Sequence, residues 1–357
     1  MRYHTGMTPL PPGVRSRLTD TPRIRIHHLE SGPEDGIPVV LLHGNLSTSR
    51  FFEHLLPGAP DRYRFIVPDM RGFGDTEHLP IDATRGLHDW AEDTRALLAA
   101  LGIARPVHLA GWSTGGGAVA TYALAHPAAS LTLIDPVSPF GFGGTRADGT
   151  PCFPDFAGSG GGIGSAEFTE RLDASDVSED SPASPRAVMN SSYWRAGHRE
   201  PREREDMLVA EILKSRTGEH GYPGDFAPSD HWPGVAPGVR GILNALSPRY
   251  CDWSRLAGLE PKPPLLWTHG SADVVIADGS AWEMGTLGRL GAVPGWPGED
   301  VFPPQPMVSQ IRMVLDRYRA AGGRVETEWF EGSGHFPPID APERWSAVFF
   351  AFLASVE

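Results

Sequence analysis

The sequence predicts an α/β architecture, a mainly parallel sheet interrupted by one long insertion, and three observations lead to it. Short apolar runs alternate with helical patterns through the first third of the chain, the alternation stops near Val137, and it resumes at Pro264. Strands that alternate with helices are joined by crossovers, which makes their sheet mainly parallel. The composition allows such a core: of 357 residues, 40% are hydrophobic and 21% charged, unlike a disordered chain.

The elements follow in order. IRIHHLE at 24–30 alternates as a strand does, and PVVLLHG at 38–44 is a continuous apolar run suited to a strand covered on both faces. RYRFIVPDMRGFGDT at 62–76 reads as a strand followed by a turn-rich loop. HDWAEDTRALLAALG at 88–102 sets Trp90, Thr94, Leu97, Leu98 and Leu101 at helical spacing and stops at Gly102. PVHLAGWS at 106–113 is a strand running into a tight turn, GGAVATYALAHP at 116–127 a helix ended by Pro127, and SLTLIDP at 130–136 the next strand. Beyond the insertion come a strand at 263–270, a helix at 308–323, a strand at 324–330 and a helix at 342–353. The expected division is a core of 1–136 and 264–357, with 137–263 as a mainly helical unit whose clearest helix is at 203–216. A smaller Gly/Pro-rich insertion spans 277–305.

Several function classes are disfavoured at once. A net charge of −13 argues against a phosphate-backbone binder, so no nucleic-acid partner is expected. No run of 18 apolar residues offers a membrane span, and the N-terminus lacks the apolar region of a secretory signal, so a cytoplasmic location is expected. Cys152 and Cys251 are too few for a disulfide scaffold and lack metal-ligand spacing; a single bridge between them is the lesser alternative to free thiols. With no H-E-x-x-H or C-x-x-C, neither a metal nor another cofactor is expected. AGSGGGIG at 157–164 matches no phosphate-loop pattern and reads as a loop of the insertion.

The chemistry is concentrated at strand ends. Gly111-Trp112-Ser113-Thr114-Gly115 is a G-x-S-x-G at a strand–helix junction, where small flanking residues let a sharp turn lift the serine above the sheet. A serine hydroxyl is a poor nucleophile without a base, and His335, in the GSGHF loop after the last strand, faces the same rim. The carboxylate that orients this imidazole is Asp273 in GSAD or Asp135 at the end of SLTLIDP. Asp273 is favoured because its loop leads outward toward the expected position of His335. An oxyanion site needs two amides, assigned to Thr114 and Asn45, with Gly44 permitting close approach. Trp194, Trp232, Trp253, Trp282 and Trp296, with Tyr193, Tyr222 and Phe153, are expected to contribute apolar cavity wall.

The ordered series HGN, DMRGFGDT, GWSTGG, GSAD and GSGHF resembles the α/β-hydrolase superfamily over nearly the whole chain outside the insertion. The resemblance implies an eight-stranded, mostly parallel sheet with helices on both faces and a lid inserted after the sixth strand. It also implies the order Ser113, Asp273, His335, with Asn45 and Thr114 at the oxyanion hole. Serine rather than aspartate at the nucleophile position disfavours haloalkane dehalogenase and epoxide hydrolase chemistry. The stretches GTPCFPDFAGSGGG (149–162) and NSSYWRAGHREPRERED (190–206) resemble bacterial hydrolases that open the macrocyclic lactone zearalenone. One group of those enzymes carries a glutamate after the sixth strand where this chain has Asp135, which keeps the choice of acid open. The function expected is therefore that of a serine hydrolase cleaving, through an acyl-enzyme, a carboxylic ester or lactone of a bulky apolar small-molecule substrate. The alternatives are a ligand receptor, an acyltransferase or a carbon–carbon hydrolase built on the same residues. Exposed apolar residues of the insertion would support a homodimer.

Overall fold

The structure, a computed structural model, describes residues 8–357; the first seven residues of the N-terminal stretch read above lie outside them. The chain runs through β1 (Arg15–Asp20), β2 (Arg25–Ser31), β3 (Ile37–Leu42), β4 (Tyr63–Pro68), α1 (His88–Ala100), β5 (Val107–Trp112), α2 (Thr114–Ala125) and β6 (Ala128–Ile134). The insertion holds α3 (Ala166–Asp173), α4 (Pro185–Ser192), α5 (Arg202–Ile212), a ribbon of β7 (Phe226–Pro228) and β8 (Val235–Pro237), and α6 (Ile242–Ala245). The chain closes with β9 (Leu265–Gly270), α7 (Met284–Arg289), α8 (Met307–Ala320), β10 (Val325–Phe330), α9 (Pro337–Asp340) and α10 (Pro342–Ser355).

Eight strands form one sheet in the order β1-β2-β4-β3-β5-β6-β9-β10. Pairing is parallel from β4 to β10 and antiparallel at β1/β2 and β2/β4. Every residue of β5 and β9, and all but the first of β3, is buried, which requires cover on both faces of the sheet. Helix α2 packs on β3, β5 and β6, and Phe350 of α10 stacks on Tyr63 of β4. Strand β1 was not anticipated from the pattern of residues. Its sequence RSRLTD is exposed almost throughout, so it has no apolar alternation to read. It is held instead by the β2 ladder, with Arg15 opposite Glu30 and Asp20 opposite Arg25.

The segment between β6 and β9 is not mainly helical, which corrects the sequence expectation. Its four α-helices have 8, 8, 11 and 4 residues, and with two short 3-10 turns, Gly161–Ile163 and Ser254–Gly258, they are separated by long loops. The physical reason is local: Gly and Pro recur too densely for long helices, and helices start where caps allow. Ser165 and Ser184 accept the Phe168 and Ala187 amides at the starts of α3 and α4. The buried Arg186 guanidinium ties α4 to α5 through Glu205 at 2.8 Å and Asp206 at 2.5 Å. Ser138 and Thr145 bond to the Gln310 side chain of α8, fastening the base of the insertion to the core. Cys152 and Cys251 are free thiols.

Candidate functional site

Strands β3, β5, β6, β9 and β10 are neighbours running in one direction, so the loops that follow them meet along one edge of the sheet. Those loops carry Asn45, Ser113, Asp135, Asp273 and His335, every residue singled out at strand ends.

Ser113 sits between β5 and α2 with φ 55° and ψ −117°, a conformation that residues other than glycine rarely adopt. Its neighbours make the turn sterically feasible. A Cβ on Gly111 would lie 2.1 Å from the Gly115 carbonyl oxygen, and one on Gly115 would lie 2.3 Å from the Leu42 carbonyl oxygen. The turn is tied down by the Ser113 N–H to Ile134 O (2.9 Å) and by the Val137 N–H to Ser113 O (3.0 Å). Gly44 adds a looser contact from the β3 side, since a Cβ there would be 3.0 Å from the Trp112 ring and 3.2 Å from Ser113 Cβ.

His335 is buried, and its Nδ1–H donates to Asp273 Oδ2 at 2.7 Å. Donation from Nδ1 leaves Nε2 as the free lone pair of the neutral ring. Asp273 Oδ1 accepts from the amides of Val275 (2.7 Å) and Ile276 (3.0 Å). Burial acts to raise the Asp273 carboxyl, but the His335 charge and hydrogen bond outweigh it and hold the group below the usual carboxylate range. The structure thus brings Asp273, not Asp135, onto the imidazole. The Ser113 hydroxyl makes no hydrogen bond among the described residues, a separation that in unliganded enzymes commonly closes when substrate binds.

The main-chain N–H groups of Asn45 and Thr114 are engaged by no other group among the described residues. Thr114 opens α2, where the helix dipole adds partial positive charge. The Asn45 loop is anchored from both sides. His43 donates from Nδ1 to Gly44 O (2.8 Å) and accepts the Met70 N–H at Nε2 (2.9 Å). From the insertion, the Tyr193 hydroxyl reaches Asn45 O at 3.1 Å and Leu46 O at 3.0 Å. The DMRGFGDT motif proves to be scaffold for this loop: Asp69 accepts from Ser49 N (2.8 Å), Asp75 N (2.9 Å) and His27 (2.7 Å). Sequence reasoning missed Tyr193 and Trp112 as anchors, because the bonds of Tyr193 to the Asn45 loop and of the Trp112 indole to His335 O cross the fold and no motif records them.

Ser113 and His335 open on a cavity of about 620 Å³ lined by the core rim, the insertion and the 274–287 segment. Its walls include Phe142, Ile163, Phe168, Leu243, Leu246 and Trp282, and no Asp, Glu, Lys or Arg of the described residues lines it. Of the aromatic residues expected as wall, Tyr193, Tyr222 and Trp282 line the cavity. The rest do other work: Trp194 and Trp253 are fully buried, Phe153 stacks on His231, Trp232 packs against Phe302, and Trp296 donates its indole N–H to Phe302 O at 2.9 Å. The 157–164 loop contributes Gly160, Ile163 and Gly164 to the wall.

Two groups bring metal-ligand atoms within 4.8 Å of one another, His27/Asp69/Asp75 and Asp135/Asp273/His335. In the first, His27 Nδ1 and Asp69 Oδ2 are bonded to each other, and in the second His335 Nδ1 and Asp273 Oδ2 are. No helix among the described residues is long and apolar enough to cross a membrane.

Residues 37–149 match the family described as the alpha/beta hydrolase fold. A cis-3-alkyl-4-alkyloxetan-2-one decarboxylase of Xanthomonas campestris pv. campestris is 39% identical over 125 residues, 33% of this chain and 41% of that protein. A haloalkane dehalogenase of Mycobacterium marinum is 43% identical over 60 residues, 16% of this chain and 20% of that protein. The alignments thus span less than half the length of these curated relatives. Among solved structures, an esterase from Rhodococcus sp. ECU1013 superposes with a TM-score of 0.57 at 20% identity, covering 97% of this chain and 100% of the esterase. Strand order, the strained serine turn and these similarities agree: the chain has the α/β-hydrolase fold.

Proposed function

We propose that this protein is a serine hydrolase of neutral, bulky, apolar carboxylic esters or lactones. The observation that carries the proposal is Ser113 on its strained turn, sharing an uncharged cavity of about 620 Å³ with an imidazole whose Nδ1–H is held by Asp273. In the reaction, Ser113 Oγ attacks the carbonyl carbon while His335 Nε2 takes its proton. The tetrahedral oxyanion points to the Asn45 and Thr114 amides, each such donor contributing about 2.7–4 kcal/mol to the transition state. Collapse breaks the carbon–oxygen bond, and the proton on Nε2 passes to the leaving alcohol. Water, deprotonated by the same nitrogen, then releases the acid from the acyl-enzyme. In a lactone the alcohol stays tethered to the acyl group throughout. No step calls on a cofactor.

The substrate we favour within this class is a zearalenone-type macrolactone. A cavity of this size falls within the usual range for drug-sized ligands, and its uncharged lining suits a neutral ring. The partial similarity to a protein named for an oxetan-2-one, itself a cyclic ester, is in keeping with a lactone. The test is mass-spectrometric product analysis with zearalenone and a panel of aryl and alkyl esters, wild type beside Ser113→Ala. Ring opening in the wild type alone supports both nucleophile and substrate. Ester cleavage without ring opening keeps the mechanism and removes the macrolactone. The unbonded Ser113 hydroxyl gives a second reading some weight, a receptor that acylates once; a single burst without further turnover would favour it.

A further inference from the structure

Behind Asp273 lies a second carboxyl group that this reaction does not use. Asp135, in the turn after β6, is fully buried and held at φ 41° with its N–H donated to Thr268 O at 3.0 Å. An ionised carboxylate so placed needs donors, and they are short. The Gly270 N–H reaches Oδ1 at 2.8 Å, while Oδ2 has no partner among the described residues.

The other groups facing it offer lone pairs. His269 of β9 bonds to Ile276 O through Nε2 at 3.1 Å. A carbonyl only accepts, so Nε2 carries the proton and Nδ1 of the neutral ring is a bare acceptor. That Nδ1 lies 3.5 Å from Asp135 Oδ1 and has no partner of its own. Asp273, in the loop after β9, presents a carboxylate already committed to His335 of the loop after β10. Ligand atoms of Asp135, Asp273 and His335 lie within 4.8 Å of one another. The remaining charge nearby, Asp340 of α9, is occupied by the amides of Gly334 and Arg195. An ionised Asp135 would set two carboxylates and an imidazole lone pair against each other with no solvent between.

One proton resolves the conflict. We propose that Asp135 is a neutral carboxylic acid that carries its proton on Oδ2 and donates it to the Asp273 carboxylate. Asp273 then gains the Asp135 hydroxyl as a donor beside the His335 Nδ1–H and the amides of Val275 and Ile276. Burial first, and then the Asp273 charge, push the Asp135 carboxyl well above the carboxylate range, while burial holds His269 down at about 4 and therefore neutral. Two acids close together divide in this way, one keeping the proton that the other gives up. Asp135 is a positioning residue, acting on the imidazole through Asp273. The inference deepens the proposed site and rests on that reading for its kinetic arm alone.

The experiment compares the full-length wild type with Asp135→Asn and Asp135→Ala. Infrared spectroscopy at pH 7 should show the carbonyl band of a solvent-shielded protonated carboxylic acid, lost in Asp135→Asn. In kinetics, the asparagine variant supplies an N–H to Asp273 and should stay within about threefold of wild type in kcat. The alanine variant supplies none. Its kcat should fall about tenfold, and the acid limb of kcat/KM should move to higher pH, because an Asp273 that no longer shares its charge holds the protonated imidazole more firmly. A merely structural role would not move that limb. Absence of the band, its persistence in Asp135→Asn, or damage by Asp135→Asn equal to that of Asp273→Asn would overturn the proposal. The infrared arm decides it even if no substrate is turned over.

Discussion

The indole Nε1–H of Trp112 donates to the main-chain carbonyl of His335 at 2.7 Å, so the residue before the serine fixes the loop that bears the imidazole. Nucleophile turn and base loop are thereby one rigid unit, reinforced by the Trp112 ring lying 4.2 Å from Phe336. Trp112→Phe keeps an aromatic ring but leaves a buried carbonyl without its donor. We expect a loss of about 1–3 kcal/mol in urea unfolding, the usual cost of an orphaned buried group. We also expect a fall in kcat of about tenfold with KM little changed, since the loop loosens after binding is complete. Unaltered kcat would show that the His335 loop is held by packing alone.

Tyr193 plays the matching part for the oxyanion loop, its hydroxyl shared between Asn45 O and Leu46 O. Tyr193→Phe preserves the ring and the cavity wall while releasing both carbonyls. The expected result is a kcat lowered about tenfold, corresponding to roughly 1.4 kcal/mol of transition-state stabilisation. Affinity for a non-reactive ester analogue should be unchanged. A change in that affinity with kcat intact would place Tyr193 in substrate binding instead.

The contact of Asp273 with His335 leads to a direct comparison of the two acids. Asp273→Asn removes the acceptor that sets the imidazole tautomer and should lower kcat by about 10³–10⁴-fold. Asp135→Asn should do far less. Steady-state kinetics on one ester suffices, and the reverse ranking would make Asp135 the orienting acid.

Much of this arrangement was legible because the backbone itself demands particular residues. Gly111 and Gly115 stand where a Cβ would strike a carbonyl oxygen, and Gly44 where one would press on Trp112 and Ser113, so the motifs record close approach directly. The buried strands were legible for a similar reason, since covered β-structure leaves a continuous apolar run. The choice between Asp135 and Asp273 was not, because both end strands at the same rim and only the loop path separates them. Strand β1 was hidden because an exposed edge strand has no apolar face. In the two insertions, tryptophans mark burial but not which surface they bury against. Trp253 fills core while Trp282, 40% exposed, stands at the cavity.

That position makes Trp282 a size filter. It and Val274 are the exposed large apolar residues of the cavity lining. Trp282→Ala should raise KM for bulky aryl esters about tenfold, the loss of one large apolar contact, and leave kcat and the hydrolysis of a short alkyl ester unchanged. An equal effect on both esters would mean that Trp282 supports the fold of the 277–305 segment and does not select substrate.

Acid stability follows from the buried histidines. Burial holds His43 and His269 down at about 4 and His54 at about 3, against an ordinary value of 6.5. Below pH 6.5 the unfolded chain binds protons that the folded chain refuses, so their contribution is complete above pH 6.5 and is lost as pH falls toward 4. Each costs about 1.4 kcal/mol per pH unit in that window. Asp135 has the opposite sign, its raised carboxyl favouring the fold more as pH falls toward 3.8, and it offsets one histidine. Asp69 and Asp273, both held below the ordinary range, are affected only at lower pH. From these four groups the expectation is a loss of up to about 3 kcal/mol per unit between pH 6 and 5, read as a falling urea midpoint. His54→Gln retains an N–H donor for Pro338 O and removes one titration, so it should flatten this slope by about 1.4 kcal/mol per unit. A midpoint constant from pH 7 to 5 would mean that these imidazoles accept protons in the folded state without cost, contrary to the acceptor role His43 Nε2 plays for Met70 N.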